Sequence, residues 1–289
     1  MTATASRMSP AHPPFGVRAS IVDLYSELER RQPHLATATL LSIFAILPCL
    51  LAMALDPRMI NGVNVWIKPT KFLLSFTVYY ATLAWVFGYL GPNAQASRSG
   101  RFVIWAALLA GLYEMVWLVL AAVFGVPAHF NYASVWWSVA YAVAGVGSTL
   151  LVTAILVQGI MVARQRDIAI APGLRWSLVL GSVIAFTATL VTAGYMSAGS
   201  GHWVGGANSD AGGLPLMGWS RVGGDLRVAH FWALHAQQIM PIIGALLVAA
   251  GVPRVRAWVV LAAIAYTGLI AFTFLQALYG IPSLPALGK

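Results

Sequence analysis

Runs of apolar residues about as long as a bilayer is thick recur along this chain of 289 residues. A helix needs roughly 20 mainly apolar residues to cross a hydrocarbon core of about 30 Å. Seven separate runs meet this requirement. We therefore predict an all-α polytopic membrane protein with seven transmembrane helices. The predicted spans cover about residues 35–55, 70–90, 102–124, 134–162, 176–197, 228–250 and 257–278.

The charged residues are few and scattered. They make up 9% of the chain, against about 25% in a soluble domain, which excludes an ordinary soluble enzyme. The formal net charge is +9, but the cations lie between the apolar runs and are not gathered on one face, as nucleic-acid binding requires. We expect the lipid bilayer to be a partner, and no nucleic acid.

Lys and Arg residues are divided unequally between alternate connections. Eleven of the 17 fall on the side of the N-terminus and six on the other side. Because short connections rich in Lys and Arg stay in the cytoplasm, we predict a cytoplasmic N-terminus and an outward-facing C-terminus. The eleven cations are Arg7, Arg18, Arg30, Arg31, Arg98, Arg101, Arg164, Arg166, Arg175, Arg254 and Arg256.

Residues 1–34 are predicted to form a cytoplasmic N-terminal segment. This stretch lacks the roughly 7–15-residue apolar core of a signal peptide, so we expect the first span to be retained. A helix-start pattern at Ser20 and apolar residues at helical spacing after it predict an interfacial amphipathic helix. The transmembrane domain is placed at 35–278, with the loop 198–227 as its outer cover, and a short outer tail at 279–289.

The unusual polar residues collect on the predicted outer side. This side receives Lys68, Lys71, the turn at His129 and the long loop 198–227, which carries His202 and Asp225. His230 follows as the sixth span begins. A structureless loop of this length is uncommon and is usually functional or disordered. We therefore look for a functional site on the outer side.

Several short strings between residues 55 and 245 resemble those of a family of uncharacterised bacterial seven-helix integral membrane proteins. The resemblance implies a shared membrane fold in a bacterial inner (plasma) membrane, with a periplasmic C-terminus. It assigns no activity and no catalytic residue. The strings are Trp66-Ile67-Lys68-Pro69-Thr70-Lys71-Phe72, His129-Phe130-Asn131, Gly201-His202, Gly223-Gly224-Asp225-Leu226-Arg227, His230-Phe231 and Leu234-His235.

Three outer histidines provide a candidate metal site. His129, His202 and His230 could supply three imidazole ligands for a divalent metal. Asp225 could be a fourth ligand or the acceptor that fixes a ring tautomer. No compact ligand motif such as His-Glu-x-x-His occurs in the sequence, and the single cysteine lies within an apolar run. The alternative interpretation is that each histidine is an interfacial side chain with a solvated tip.

His235 is a candidate haem ligand. Five residues separate it from His230, which places the two rings about 140° apart on a helix and prevents them from chelating one ion. His235 shares a face with Gln238 and could be the axial ligand of a haem b between helices. No histidine at matching depth exists in spans two to five or seven. A haem held by one histidine, or His235 bonded to a neighbour, are the remaining alternatives.

Glu114 is the only carboxylate well inside a predicted span. An ionisable residue at such depth marks a functional site by default, so Glu114 and Asp225 are our catalytic candidates. The alternative is a protonated Glu114 that holds helices together by a bond to Gln238 or to a tyrosine. Lys68 and Lys71 could bind a lipid phosphate, pair with Glu114 and Asp225, or extend to the outer interface.

These residues favour metal- or haem-assisted chemistry on a lipid-soluble molecule such as a quinone, an isoprenoid or a lipid. A second hypothesis is a metal-free isoprenoid cyclase in which Glu114 is the acid. A third hypothesis is a transporter or receptor in which Glu114 and the outer lysines bind a proton or a solute. The sequence does not decide between a divalent metal, a haem b and no cofactor.

Overall fold

The computed structural model describes residues 20–199 and 201–284 and is helical over most of them. Arg7 and Arg18 of the predicted N-terminal segment, and the last five residues of the predicted tail, lie outside the described residues. The helices are α1 Ile21–Arg31, α2 Pro33–Leu55, α3 Ile67–Phe87, α4 Pro92–Ala96, α5 Arg98–Phe124, α6 Val135–Arg164, α7 Pro172–Ala198, α8 Leu226–Ala249 and α9 Val255–Leu278. Four two-residue strands are β1 Met59–Ile60, β2 Val63–Asn64, β3 Trp203–Val204 and β4 Gly224–Asp225.

Six helices of the described part of the chain are long and apolar enough to cross a membrane, namely α2, α5, α6, α7, α8 and α9. Their outward faces are apolar: Leu41, Leu109 and Ile264 are each exposed by more than 60%. A water-soluble protein rarely leaves large continuous apolar surfaces exposed. The chain is therefore a multi-pass helical membrane protein.

Helix α3 is less apolar than these six helices, because it carries two lysines and several hydroxyl side chains. It nevertheless has 21 residues, and it packs against α1, α2, α5 and α6. Leu83 and Phe87 on its buried face are completely inaccessible. A seventh crossing by α3 stays a prediction, as do the locations of the two termini.

The amphipathic helix predicted after Ser20 is present as α1. The Ser20 Oγ accepts a hydrogen bond from the Asp23 N–H, and the Asp23 carboxylate accepts one from the Ser20 N–H, so the two residues form a capping box. The hydrogen bonds that the Asp23 carboxylate accepts from the Ser20 N–H and the Ser20 hydroxyl lower the pKa of Asp23. At the other end of α1, Arg31 donates to the carbonyl of Trp85 at 2.6 Å. This contact anchors α1 to the end of α3.

The bundle has two chemically different ends. At one end, which we call the arginine-rich end, α1, α3, α6 and α8 stop and α2, α5, α7 and α9 begin. At the opposite end, which we call the histidine-rich end, the start of α3 contacts the connection between α5 and α6, and the end of α7 contacts the start of α8. The polar residues predicted for the outer side therefore lie at one end of the described bundle.

The segment between α7 and α8 is folded back onto the bundle. Strand β3 pairs antiparallel with β4, so that Trp203 lies opposite Asp225. The Asp210 N–H donates to the carbonyl of Asn61, in the turn between β1 and β2, at 2.8 Å. Gly62, at φ 80°, is required here, because a Cβ on it would lie 2.7 Å from that of Ala211. Loop 201–225 therefore lies against the β1–β2 turn.

Candidate functional site

Arg227, in the first turn of α8, holds loop 201–225 together. Its guanidinium donates to both oxygens of Asp225, at 2.9 and 2.6 Å, and to Oδ1 of Asp210 at 2.7 Å. It also donates to the carbonyl of Gly218 at 2.8 Å. Arginine suits this position because its planar fork serves several acceptors at once. One cation thus neutralises two carboxylates.

Asp225 is a structural residue of this network. It is 1% exposed, it is the N-cap of α8, and its carboxylate accepts from the backbone N–H groups of Arg227 and Ser220. Both of its oxygens are therefore occupied by hydrogen bonds. The predicted catalytic or metal-ligating role of Asp225 stays a prediction, and the hydrogen bonds give it a sufficient reason to be present.

Asp210 belongs to the same network, although the sequence did not single it out as a site residue. Nε2 of His202 lies 3.5 Å from its Oδ1. Burial alone would raise the pKa of Asp210, but His202 and Arg227 outweigh burial and lower the pKa to about 2. Burial is also the main reason that the pKa of His202 is lowered. At neutral pH the site contains an ionised Asp210 beside a neutral His202.

Lys68, in the first turn of α3, contacts His129 in the connection between α5 and α6. The Lys68 Nζ and the His129 Nδ1 are 2.7 Å apart. The ammonium can only donate, so Nδ1 accepts and the ring proton is on Nε2. Burial, followed by the charge of Lys68, holds the pKa of His129 well below its usual value. Phe72 and Tyr141 flank the ring at centroid distances of 6.2 and 5.6 Å.

Lys71 lies one turn further along α3 and contacts the underside of loop 201–225. Its Nζ donates to the carbonyl of Met217 at 3.2 Å. The eight Asp and Glu side chains of the chain all lie in the described residues, and none approaches the Nζ of Lys68 or Lys71 within 4.0 Å. The predicted pairing of these lysines with Glu114 and Asp225 is therefore not observed. Two partly buried cations lack a contacting counter-ion.

Glu114 is 1% exposed in the middle of α5. Its Oε1 accepts a hydrogen bond from the Ser148 hydroxyl of α6 at 2.9 Å. Its Oε2 is buried and has no hydrogen-bond partner among the described residues. The partner is neither Gln238 nor a tyrosine, since Gln238 donates to Thr82 at 3.4 Å. A carboxyl with one free buried oxygen remains available to a ligand or a proton.

The remaining predicted ligands do not form a metal centre. Nδ1 of His230 lies 3.1 Å from the Thr192 hydroxyl, and the His235 ring packs on Phe231 at a centroid distance of 4.2 Å. Within residues 20–199 and 201–284, no group of three or more His, Cys, Asp or Glu side chains is placed to hold a metal ion. One ring nitrogen of His129, Nδ1, is already in contact with the Lys68 Nζ. The residues present do not fit a metal, and the haem at His235 stays a prediction.

An apolar groove lies between α5 and α6 at the histidine-rich end. It has a volume of about 300 Å³ and is lined by Tyr113, Val116, Trp117, Leu120, Trp136, Trp137 and Ala140. The Trp117 indole donates to the carbonyl of Ala128, the residue before His129, at 2.9 Å. The groove therefore borders the same connection that holds the Lys68–His129 contact.

Neither a protein-family model, nor a curated protein, nor a solved structure matches this chain. The function of the chain is therefore inferred from the chemistry of its residues. The resemblance to bacterial seven-helix membrane proteins stays a prediction.

Proposed function

We propose that this protein binds an anionic, lipid-soluble molecule at the histidine-rich end of its bundle, with Lys68 and Lys71 holding the anionic group. One observation carries the proposal: Lys68 and Lys71 lie one turn apart on α3 and contact a histidine and a backbone carbonyl, with no Asp or Glu side chain in contact. We further propose that α3 is the seventh span and that this end faces the periplasm of a bacterial inner membrane.

The charge balance of the site supports an anionic ligand. Arg227 takes both nearby carboxylates of the loop, Asp210 and Asp225, and leaves the two lysines without an ion pair. Like charges placed near each other in a partly buried setting repel one another more strongly than in water. A bound phosphate or carboxylate relieves this repulsion and accepts hydrogen bonds from both ammonium groups.

The surroundings of the site support a lipid-soluble ligand. The groove of about 300 Å³ beside Trp117 is apolar and opens to the bundle surface, and its rim is tied to the residue before His129. An acyl or isoprenoid chain could lie in this groove while its charged head reaches the lysines. Such a ligand would enter from the bilayer and not from water.

Glu114 supplies the chemistry in this proposal. Its unpartnered Oε2 is a hydrogen-bond donor when the carboxyl is protonated, and a group buried in a span favours the neutral form. It could donate a proton to a ligand that lies along α5. The proposed proton transfer uses the Glu114 carboxyl alone, as in the hypothesis of a metal-free enzyme.

A matched pair of amphiphiles tests the proposal. Lysophosphatidic acid and a monoacylglycerol with the same acyl chain differ by the phosphate, and binding to the purified full chain in nanodiscs can be followed by tryptophan fluorescence. We expect the anionic member to bind at least about tenfold more tightly, because only its phosphate can accept charge-assisted hydrogen bonds from both lysines.

Two variants complete the test. The double variant Lys68→Met/Lys71→Met should lose the preference for the anionic member, because methionine keeps the side-chain length and removes the charge. The matched control is Arg256→Met, an exposed cation at the arginine-rich end, which should keep the preference. Equal affinity of the wild type for both amphiphiles, or an unchanged preference in the double variant, would show that the lysines are not an anion site.

A further inference from the structure

A second cavity lies at the arginine-rich end, far from the site above. It has a volume of about 510 Å³ and lies where the start of α5 meets the last turns of α6. The lining combines two cationic side chains and one anionic side chain with amide, hydroxyl and apolar side chains. Its residues are Ala94, Ser97, Ser99, Val157, Ile160, Met161, Arg164, Gln165, Arg166 and Asp167.

The two arginines of this cavity are not used by the fold. Arg164 and Arg166 make no ion pair and no side-chain hydrogen bond with any described residue, although Asp167 is adjacent. The carboxylate of Asp167 points to the turn after α3, where a Cβ on Gly91 would lie 2.8 Å from its Oδ2. By contrast, Arg175 donates to the carbonyls that end α6. The fold therefore uses Arg175 and leaves Arg164 and Arg166 free.

The apolar part of the cavity follows one face of α6. Val157, Ile160 and Arg164 are spaced by three and four residues, so they lie in one row along the helix. Over these seven residues α6 rises about 10 Å toward the middle of the bundle. Ile160 is 39% exposed. This row offers a cation at the membrane boundary and a partly exposed apolar strip below it.

The side of the cavity opposite α6 carries hydroxyl groups at the start of α5. Ser97 is the N-cap of α5, and its Oγ accepts from the Gly100 N–H at 3.1 Å. The exposed Ser99 hydroxyl makes no hydrogen bond with the described residues. The positive end of the helix dipole and the free hydroxyl both favour an anion at this position.

We infer from this geometry that the cavity binds an anionic phospholipid. Its phosphate lies between Arg164, Arg166 and Ser99, and the first part of an acyl chain lies along Val157 and Ile160. This occupant fits the two unpaired arginines, the volume of the cavity, and the apolar strip that lies beside the cavity on α6. A free phosphate would use the cations but not the strip. The inference does not depend on the function proposed for the histidine-rich end.

The test is photochemical labelling of the full chain in nanodiscs by phosphatidylglycerol with a diazirine in its acyl chain. Labelled peptides are identified by mass spectrometry. We expect labelling on the α6 segment 155–163, and Arg164→Gln/Arg166→Gln should reduce it about tenfold, because two charge-assisted contacts are lost. The control Arg256→Gln removes an exposed cation at the same end of the bundle and should leave the labelling unchanged.

Three further arms separate the alternatives. Phosphatidylcholine carrying the same photoreactive chain should label this segment several-fold less, and equal labelling by the two lipids would overturn the inference. Excess glycerol 3-phosphate should not compete, whereas full competition would show a site for soluble phosphate and overturn the lipid assignment.

Lys68→Met/Lys71→Met should leave α6 labelling intact. If that variant abolishes it, the label reports the histidine-rich end, and the inference fails independently of the first proposal.

Discussion

The Nζ of Lys68 and the Nδ1 of His129 lie 2.7 Å apart although 61 residues separate them along the chain. The contact joins the first turn of α3 to the connection between α5 and α6. It gives Lys68 a neutral acceptor in place of a carboxylate, so the contact itself does not neutralise a charged lysine. An anion-binding site depends on such a charge, and the histidine fixes where it points.

The first prediction concerns this contact. His129→Phe keeps an aromatic ring beside Phe72 and Tyr141 and removes the acceptor for the Lys68 ammonium. We expect it to weaken binding of lysophosphatidic acid severalfold and to lower stability by about 1–2 kcal/mol, because a buried donor loses its partner. Fluorescence titration and thermal unfolding in detergent measure the two effects. In the background of Lys68→Met the same substitution should have little further effect on binding, whereas additive losses would show that the two residues act separately.

The helices could be predicted because the pattern that specifies them is local. The run at 134–162 became α6 Val135–Arg164 and the run at 228–250 became α8 Leu226–Ala249. The spacing of three residues between Ser20 and Asp23 likewise predicted the start of α1. The run at 70–90 became α3 Ile67–Phe87, whose two lysines make it less apolar than the other long helices.

The contacts of the site could not be predicted to the same extent. Glu114 was recognised by its depth, but its partner Ser148 depends on how α5 and α6 are rotated about their axes. Asp210 had no distinguishing neighbours in the sequence, and its role appears only when β3 pairs with β4 and brings the loop to Arg227. The metal-site hypothesis rested on residue types alone and could not account for the ammonium beside His129.

The second prediction concerns the network that holds loop 201–225. Arg227→Gln leaves Asp210 and Asp225 without their shared cation, so we expect the loop to detach and stability to fall by on the order of 3 kcal/mol. Hydrogen exchange should rise in peptides from 203–225 and remain unchanged in α6. Arg221→Gln is a matched control in the same loop, since Arg221 forms no ion pair with the described residues. Unchanged exchange in Arg227→Gln would contradict the role given to this arginine.

The third prediction is a loss of stability as the pH falls below about 6.5. The pKa values of His129 and His202 are lowered in the folded protein from the ordinary value of 6.5, so below this pH the unfolded chain binds protons that the folded chain does not. Below this pH, each histidine lowers the free energy of unfolding by at most about 1.4 kcal/mol for each unit that the pH falls. The melting temperature between pH 7.5 and 5.5 should fall, and His129→Phe/His202→Phe should flatten the dependence. His34→Phe, at an exposed histidine in α2, should not.

The fourth prediction concerns α3 and the orientation of the chain. Alkaline phosphatase is active only outside the cytoplasm, so fusions after Gly62 and after Gly91, on either side of α3, should differ in activity if α3 crosses the membrane. We expect the Gly62 fusion and a fusion after Lys289 to be active and the Gly91 fusion to be inactive. Equal activity at Gly62 and Gly91 would remove α3 from the spans, and activity only at Gly91 would reverse the orientation.

The last prediction separates a chemical from a structural role for Glu114. Glu114→Gln keeps the size of the side chain and an oxygen or amide for the Ser148 hydroxyl, but it cannot exchange a proton at neutral pH. If the carboxyl is a proton donor, the variant should fold normally, bind lysophosphatidic acid and lose whatever activity the wild type shows. If Glu114 only joins α5 to α6, Glu114→Gln should be nearly neutral, and Glu114→Leu and Ser148→Ala should each lower stability by about 0.6–2 kcal/mol. Thermal unfolding of all three variants beside a growth or activity assay decides between the two, and a fully functional Glu114→Gln would exclude Glu114 as a proton donor.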